Sequence, residues 1–139
     1  MKKLLLLILC TTTLGLVSCK KDTIVEQPSS RTYNFDIQPN QWVLSGDGLS
    51  YTYEWDSDGA IDQITVDNEG VLVYLSHPIN ANSYIQLPYV YNVDAYSYEL
   101  YNNGIAIDIQ SSDFQDDAPI KPTSVIRAKV VIIPSTFYP

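Results

Sequence analysis

Few side chains in this 139-residue chain carry reactive chemistry. Its cysteines, Cys10 and Cys19, both lie near the N-terminus, and His77 is the single histidine. One histidine excludes a zinc site built from several histidines, and it leaves His77 as the only base of that type for a catalytic triad. Because adjacent residues of a strand point to opposite faces, we expect Ser76 to point away from His77. The sequence therefore predicts that His77 is a turn residue before Pro78.

Four acidic side chains in a short segment rich in Asp and Gly have the spacing of oxygen ligands in a calcium-binding loop. They are Glu54, Asp56, Asp58 and Asp62. The pattern departs from such a loop at its last position, where Thr65 replaces the bidentate glutamate. The alternative is an ordinary turn, because Asp and Gly adopt turn geometry easily. Calcium binding here is a hypothesis beside the turn, and no other cofactor is predicted.

A second acidic group, Asp113, Asp116 and Asp117, lies in a polar segment late in the chain. Aspartates can hold a cation, and two carboxylates across a cleft can hydrolyse glycosides. A small sandwich rarely offers such a cleft, and the surrounding sequence is polar. We therefore expect a solvated loop here and no enzymatic activity.

Tyrosine is over-represented, with 11 residues against 3 phenylalanines. Tyrosine favours strands and half-buried surfaces, and its hydroxyl stays close to water. Tyr96 and Tyr98 share one strand face and are expected in the core. Tyr89, Tyr91 and Tyr101 fall outside that face, so they are candidates for an aromatic platform that binds sugar rings. The alternative is that these three rings only pack.

The N-terminus has the organisation of a secretory signal. Two lysines precede an apolar run of about 14 residues, which is shorter than the roughly 20 that a transmembrane helix needs. The run ends in Leu16-Val17-Ser18-Cys19, which resembles the lipobox of bacterial lipoproteins. Cys10 is a poor alternative acceptor because the bulky Leu9 precedes it. The sequence therefore predicts cleavage of residues 1–18 and lipidation of Cys19, after which the mature domain has no free thiol.

The segment after the lipobox predicts both a tether and a destination. Residues 19–30 are polar and end in Pro28 and two serines, which is typical of a flexible linker. Lys20 stands where an inner-membrane retention signal of the enterobacterial kind has Asp, so we expect the outer membrane. Lys20-Lys21-Asp22 also resembles the lysine-then-acidic export signal of Bacteroidetes surface lipoproteins. Surface display and a periplasmic orientation therefore both remain open.

Charge excludes one class of partner. Loss of residues 1–18 removes two lysines and no acidic residue, so the net charge changes from −8 to −10. Such a surface repels nucleic acid, and no nucleic-acid partner is expected. The membrane, reached through the lipid, is the predicted partner, together with a glycan or a protein.

Apolar and polar residues alternate with a period of two along residues 31–139, and no segment shows a sustained helical period. The clearest element is a hairpin around Asn102-Asn103-Gly104, whose Asn-Gly pair is expected to supply the positive φ of the turn. The spacing from Ile61 to Val66 fits either a helical turn or a strand. About seven or eight short strands predict one all-β domain at 31–139, an antiparallel β-sandwich of the Ig-like or a similar type, with little helix.

Several packing and turn residues follow one another in a distinctive order across residues 31–133. They are Trp42, Tyr51–Trp55, Ile64-Thr65, Asn68-Glu69-Gly70-Val71, Tyr74 and Leu87-Pro88-Tyr89. This order resembles small outer-membrane lipoproteins of Bacteroidetes. The resemblance implies a β-sandwich at the outer membrane and supplies no catalytic residues. We therefore expect a non-enzymatic envelope lipoprotein with a binding, structural or interaction role, the alternative being a carbohydrate-binding module.

Overall fold

The computed structural model describes residues 29–113 and 118–135. The predicted signal peptide, nearly all of the predicted tether with Cys19, and the late aspartates Asp116 and Asp117 lie outside these residues.

Nine strands, one short α-helix and one 3₁₀ turn make up the described part of the chain. They are β1 (Arg31–Ile37), the 3₁₀ turn (Pro39–Gln41), β2 (Val43–Leu44), β3 (Ser50–Asp56), α1 (Gln63–Asn68), β4 (Gly70–His77), β5 (Asn80–Gln86), β6 (Tyr89–Tyr91), β7 (Asp94–Tyr101), β8 (Gly104–Ser111) and β9 (Ile126–Ile133). The strands form a four-stranded sheet, β1-β9-β4-β5, and a five-stranded sheet, β2-β3-β8-β7-β6, and all pairs are antiparallel. The predicted antiparallel β-sandwich is confirmed. It has more strands than expected because β2 and β6 are too short for alternation to reveal them.

The core lies between the two sheets and follows the period-two pattern of the sequence. In β8, Ile105, Ile107 and Ile109 are fully buried. In β9, the inward residues Ala128, Val130 and Ile132 are fully buried as well, and all six belong to one hydrophobic cluster. Burial of an isoleucine or valine side chain contributes about 1.5–3 kcal/mol relative to exposure, so both strands contribute substantially to the apolar core.

The hairpin between β7 and β8 is present, but its glycine has a different role from the expected one. The two turn residues are Asn102 and Asn103, and Asn103 has the positive φ, 80°. Gly104 already belongs to β8 and pairs with Tyr101. A Cβ atom at Gly104 would lie 2.6 Å from the carbonyl oxygen of Trp55 and 2.7 Å from the Tyr101 hydroxyl. Glycine is therefore required here by close approach of its neighbours.

The ambiguous segment after β3 forms a helix. Asp62 precedes α1 with an extended backbone, and its carboxylate accepts a hydrogen bond from the Thr65 backbone N–H at 2.8 Å. This is the geometry of a helix N-cap, which satisfies one of the otherwise unpaired N–H groups of the first turn. Thr65 is also buried, so the helix is stabilised by its N-cap and by the packing of Thr65 against the domain.

The two ends of the sandwich are distinct. We call one of them the Arg31 end. There β1 begins beside the last residues of β9, and Arg31 forms an ion pair with Glu69, which follows α1. We call the other the Ile126 end. There β1 and β4 end beside the first residues of β9. A seven-residue strand spans about 20 Å between its first and last residues, so the two ends are separated by roughly that distance.

Candidate functional site

A cleft of about 210 Å³ opens at the Ile126 end. Its walls come from both sheets and from one connecting segment. They are the end of β4 with Ser76 and His77, β6 with Tyr89 and Tyr91, the start of β7 with Asp94 and Tyr96, and residues 120–126. The cleft is therefore assembled from parts of the chain that are distant in sequence.

Aromatic rings form much of this cleft. The Tyr89 ring stacks on the Tyr96 ring, with centroids 4.7 Å apart and planes 3° apart. His77 meets the Tyr91 ring edge-on at 5.4 Å, a contact that joins the two sheets. Tyr96 is buried, whereas Tyr89 and Tyr91 are half-buried. Burial raises the pKa of Tyr89, and the neighbouring Tyr96 adds to this, so both hydroxyls stay protonated at neutral pH.

Ser76 and His77 both contribute to the lining of the cleft. The pairing of β4 with β5 shifts register between these two residues, and such a bulge re-aims the side chains beside it. The Ser76 hydroxyl oxygen accepts the Arg127 backbone N–H at 3.0 Å. His77 Nδ1 accepts the Ile79 backbone N–H at 3.1 Å, as expected of a turn histidine. Both side chains are thus engaged with the backbone.

Asp94 is the buried acidic residue of the cleft, with 4% of its surface exposed. Its carboxylate accepts a hydrogen bond from the Ile120 backbone N–H, yet its Oδ1 atom is buried and has no hydrogen-bond partner among the described residues. Burial raises the pKa of Asp94, the Ile120 hydrogen bond lowers it, and the negative charge of Asp113 raises it again. An unpaired buried oxygen of this kind costs free energy unless a donor reaches it.

No described basic side chain forms an ion pair with Asp94. Lys121 lines the same cleft, but its ammonium group lies 5.7 Å from the centre of the Tyr51 ring. The ion pair that the described residues do contain, between Arg31 and Glu69, is at the opposite end of the sandwich. The cleft therefore combines aromatic walls with a carboxylate that lacks a described counter-ion.

The three tyrosines of the predicted platform do not come together. Tyr89 and Tyr91 line the cleft, whereas Tyr101 ends β7 at the opposite end of the sandwich. Tyr101 is 38% exposed, and its ring lies over Gly104, which has no side chain of its own. An aromatic ring beside a strand glycine supplies the packing that the glycine lacks. The structure therefore gives Tyr101 a packing role apart from the cleft.

The acidic segment predicted as a calcium loop forms a turn at the Arg31 end. Asp56 Oδ1 accepts hydrogen bonds at 2.9 Å from the Asp58 backbone N–H and from the Asn103 side-chain amide. Asp62 is the cap of α1, and its hydrogen bonds to the Thr65 backbone and side chain lower its pKa. Glu54 lies exposed on β3, on the strand face opposite Tyr53.

Among the described residues, no three or more Asp, Glu, His or Cys side chains are grouped so as to hold a metal ion. The geometry thus favours the turn, and calcium binding stays a prediction. A melting temperature that rises with calcium would support the calcium loop, and one that is the same in calcium and in a chelator would remove it.

Of the late aspartates, Asp113 lies within the described residues. Its carboxylate accepts a hydrogen bond from the Ser111 hydroxyl at 2.6 Å, and its charge acts on Asp94.

Sequence reasoning missed Asp94 and the segment 120–126. The signal for Asp94 was available, because a period of two places it on the same face of β7 as Tyr96 and Tyr98. An aspartate on a core-facing position is unusual, since Asp is almost never fully buried unless paired. The contribution of residues 120–126 has no comparable signal, because that segment has no regular period.

Within the described ranges, no helix is long and apolar enough to cross a bilayer. No protein-family model, curated protein or solved structure matches this chain.

Proposed function

We propose that this chain is an envelope lipoprotein whose folded domain, anchored through Cys19, binds a small ligand in the cleft at the Ile126 end. The observation that carries the proposal is the combination of an aromatic-walled cleft with a buried Asp94 oxygen that has no described partner. Ligand sites in proteins are concave, mostly apolar, and contain a few precisely placed polar groups. The cleft has these properties.

Binding fits the described lining residues better than catalysis does. Asp94 is the only carboxylate among them, whereas glycoside hydrolysis needs two carboxylates on either side of the bond. Ser76 and His77 each accept a backbone N–H, so neither is arranged as a nucleophile and base pair. We therefore propose a non-enzymatic role.

The position of the cleft fits a domain tethered by its N-terminus. A tether at residues 19–30 would reach the domain at Arg31, and the cleft lies about 20 Å away at the other end. The tether would then join the domain at the end opposite the cleft. We propose the outer membrane as that bilayer, with the domain on either its periplasmic or its external side.

The anchoring part of the proposal is tested by labelling cells with a radioactive fatty acid. The full chain is expected to incorporate label, Cys19→Ser to lose it, and Cys10→Ser to keep it. Label that persists in Cys19→Ser would overturn the anchoring site.

A carbohydrate is the second candidate ligand, and the half-buried rings of Tyr89 and Tyr91 favour it. Aromatic rings stack against the apolar faces of sugars, and a carboxylate accepts hydrogen bonds from their hydroxyls. The mature lipoprotein, purified in detergent, is applied to a glycan array. We expect Tyr91→Ala to abolish any signal and Tyr101→Ala to retain it, because Tyr101 lies at the other end. Binding that depends on Tyr101 and not on Tyr91 would overturn the assignment of the cleft.

A further inference from the structure

The carboxylate of Asp94 is the feature of the cleft that indicates which chemical group a ligand would present there. The side chain is 4% exposed, and one carboxylate oxygen has no hydrogen-bond partner among the described residues. Removing a carboxylate from water is costly unless an opposite charge and hydrogen-bond donors replace the water. A neutral hydroxyl supplies a donor but leaves the charge uncompensated, whereas an ammonium group supplies both.

The surroundings of Asp94 add to the preference for a cation. Asp113 lies near enough for its negative charge to act on Asp94. The Lys121 ammonium is placed against the Tyr51 ring instead. His77 uses Nδ1 to accept the Ile79 N–H, so this ring nitrogen is not a donor toward Asp94. Asp94 and Asp113 thus place negative charge at this part of the cleft, and Lys121 is the one Lys or Arg among the described lining residues.

The rings and the size of the cleft are consistent with this charge. Aromatic faces attract cations, with a contribution of about 0.5–2 kcal/mol that grows as the site becomes drier. Tyr89, Tyr91 and Tyr96 all line the cleft beside Asp94. Its volume of about 210 Å³ is below the roughly 300–1,000 Å³ of sites for drug-sized ligands, so it suits one ring or one alkyl chain.

We propose that the cleft binds its ligand through a protonated primary amine, whose N–H groups donate to Asp94 while the tyrosine rings surround the cation. This inference rests on the proposed function of the same cleft. An amino sugar and a lysine side chain both present this group, and the shared chemistry is a primary ammonium on a small apolar body.

Matched pairs of probes separate the amine from the rest of the ligand. Glucosamine is compared with N-acetylglucosamine, and the methylamide of Nα-acetyl-lysine with that of Nα-acetyl-norleucine. Binding to the mature lipoprotein in detergent is measured by NMR chemical-shift titration at neutral pH. We expect at least one amine to bind about tenfold more tightly than its neutral twin, which corresponds to one charge-assisted hydrogen-bond pair. The pair that shows the difference identifies the source.

Asp94→Asn keeps the shape of the side chain and removes its charge, so it is expected to abolish the preference for the amine. Asp36→Asn, which removes an exposed carboxylate of β1, is the matched control and should leave the preference unchanged. Equal binding of both twins, or a preference that survives Asp94→Asn, would overturn the ammonium proposal while leaving cleft binding intact. If neither these probes nor the glycan array gives binding, the proposed function fails together with it.

Discussion

Among the described glycines, Gly104 has the least room for a side chain. A Cβ atom there would meet the Trp55 backbone oxygen at 2.6 Å, which forces a shift in the pairing of β3 with β8. We expect Gly104→Ala to lower the free energy of unfolding by about 1–3 kcal/mol, the usual cost of overpacking. Urea denaturation measures this. The control is Gly46→Ala, whose added Cβ meets nothing within 4 Å, and an equal loss in both variants would contradict the steric explanation.

The raised pKa of Asp94 makes the free energy of unfolding depend on pH. Burial raises the pKa of its carboxyl group in the native state above the ordinary value of 3.8, so the native protein binds this proton more tightly than the unfolded chain does. The contribution of Asp94 to stability is therefore fully present below 3.8 and is lost as the pH rises through the native pKa.

We expect the difference in unfolding free energy, wild type minus Asp94→Asn, to fall as the pH rises through that window. Urea unfolding of both proteins between about pH 3 and pH 8 tests it. The pKa of Asp62 is lowered, so Asp62 adds stability as the pH rises, which is opposite to the effect of Asp94. Taking the difference between the wild type and Asp94→Asn removes this contribution, because both proteins contain Asp62. If the difference in unfolding free energy stays flat or rises with pH, burial does not disfavour the charged form of Asp94, and the prediction is wrong.

Between elements, Asn103 joins the β7–β8 turn to the turn after β3. Its side-chain oxygen accepts the Gly59 N–H, and its side-chain amide donates to Asp56. Its backbone carbonyl accepts the Ser57 N–H, and its backbone N–H donates to the Ile61 carbonyl. We expect Asn103→Gly, which keeps the positive φ but loses the side-chain bonds, to cost about 1 kcal/mol. Asn103→Ala should cost about 1 kcal/mol more, because it also places a Cβ at a φ of 80°.

Thermal unfolding of the two Asn103 variants beside the wild type measures both steps. If Asn103→Gly is as stable as the wild type, the side chain does not hold the two turns together. If Asn103→Ala equals Asn103→Gly, the positive φ imposes no cost at this position.

At the scale of the whole molecule, the separation of the two ends predicts how the anchored protein responds to proteases. If residues 19–30 are a flexible tether, brief proteolysis of the lipoprotein in vesicles should cut there and release a domain that begins close to Arg31. Mass spectrometry of the released fragment gives the cleavage site. We expect its ligand affinity to equal that of the anchored form, because the cleft is at the far end. Cleavage within β1–β8 before release would contradict the predicted tether.

The period-two alternation of the sequence predicts the sandwich and most of its inward faces. Ile105, Ile107 and Ile109 are buried as their alternation predicts, and Tyr96 shares the core with them. This was possible because a strand places alternate side chains on opposite faces, a property of the local backbone alone. The same rule, applied to Asp94, would have marked it as an inward carboxylate.

Which side chains share a site depends on the stacking of the two sheets, which the alternation of residues along each strand does not specify. Tyr91 meets His77 across the two sheets, whereas Tyr101, ten residues further along, is at the opposite end of the sandwich. The pairing of β4 with β5 shifts register at Ser76 and His77, and both residues line the cleft. These relations depend on how two sheets stack and on where pairing slips by one residue, and no local periodicity encodes either.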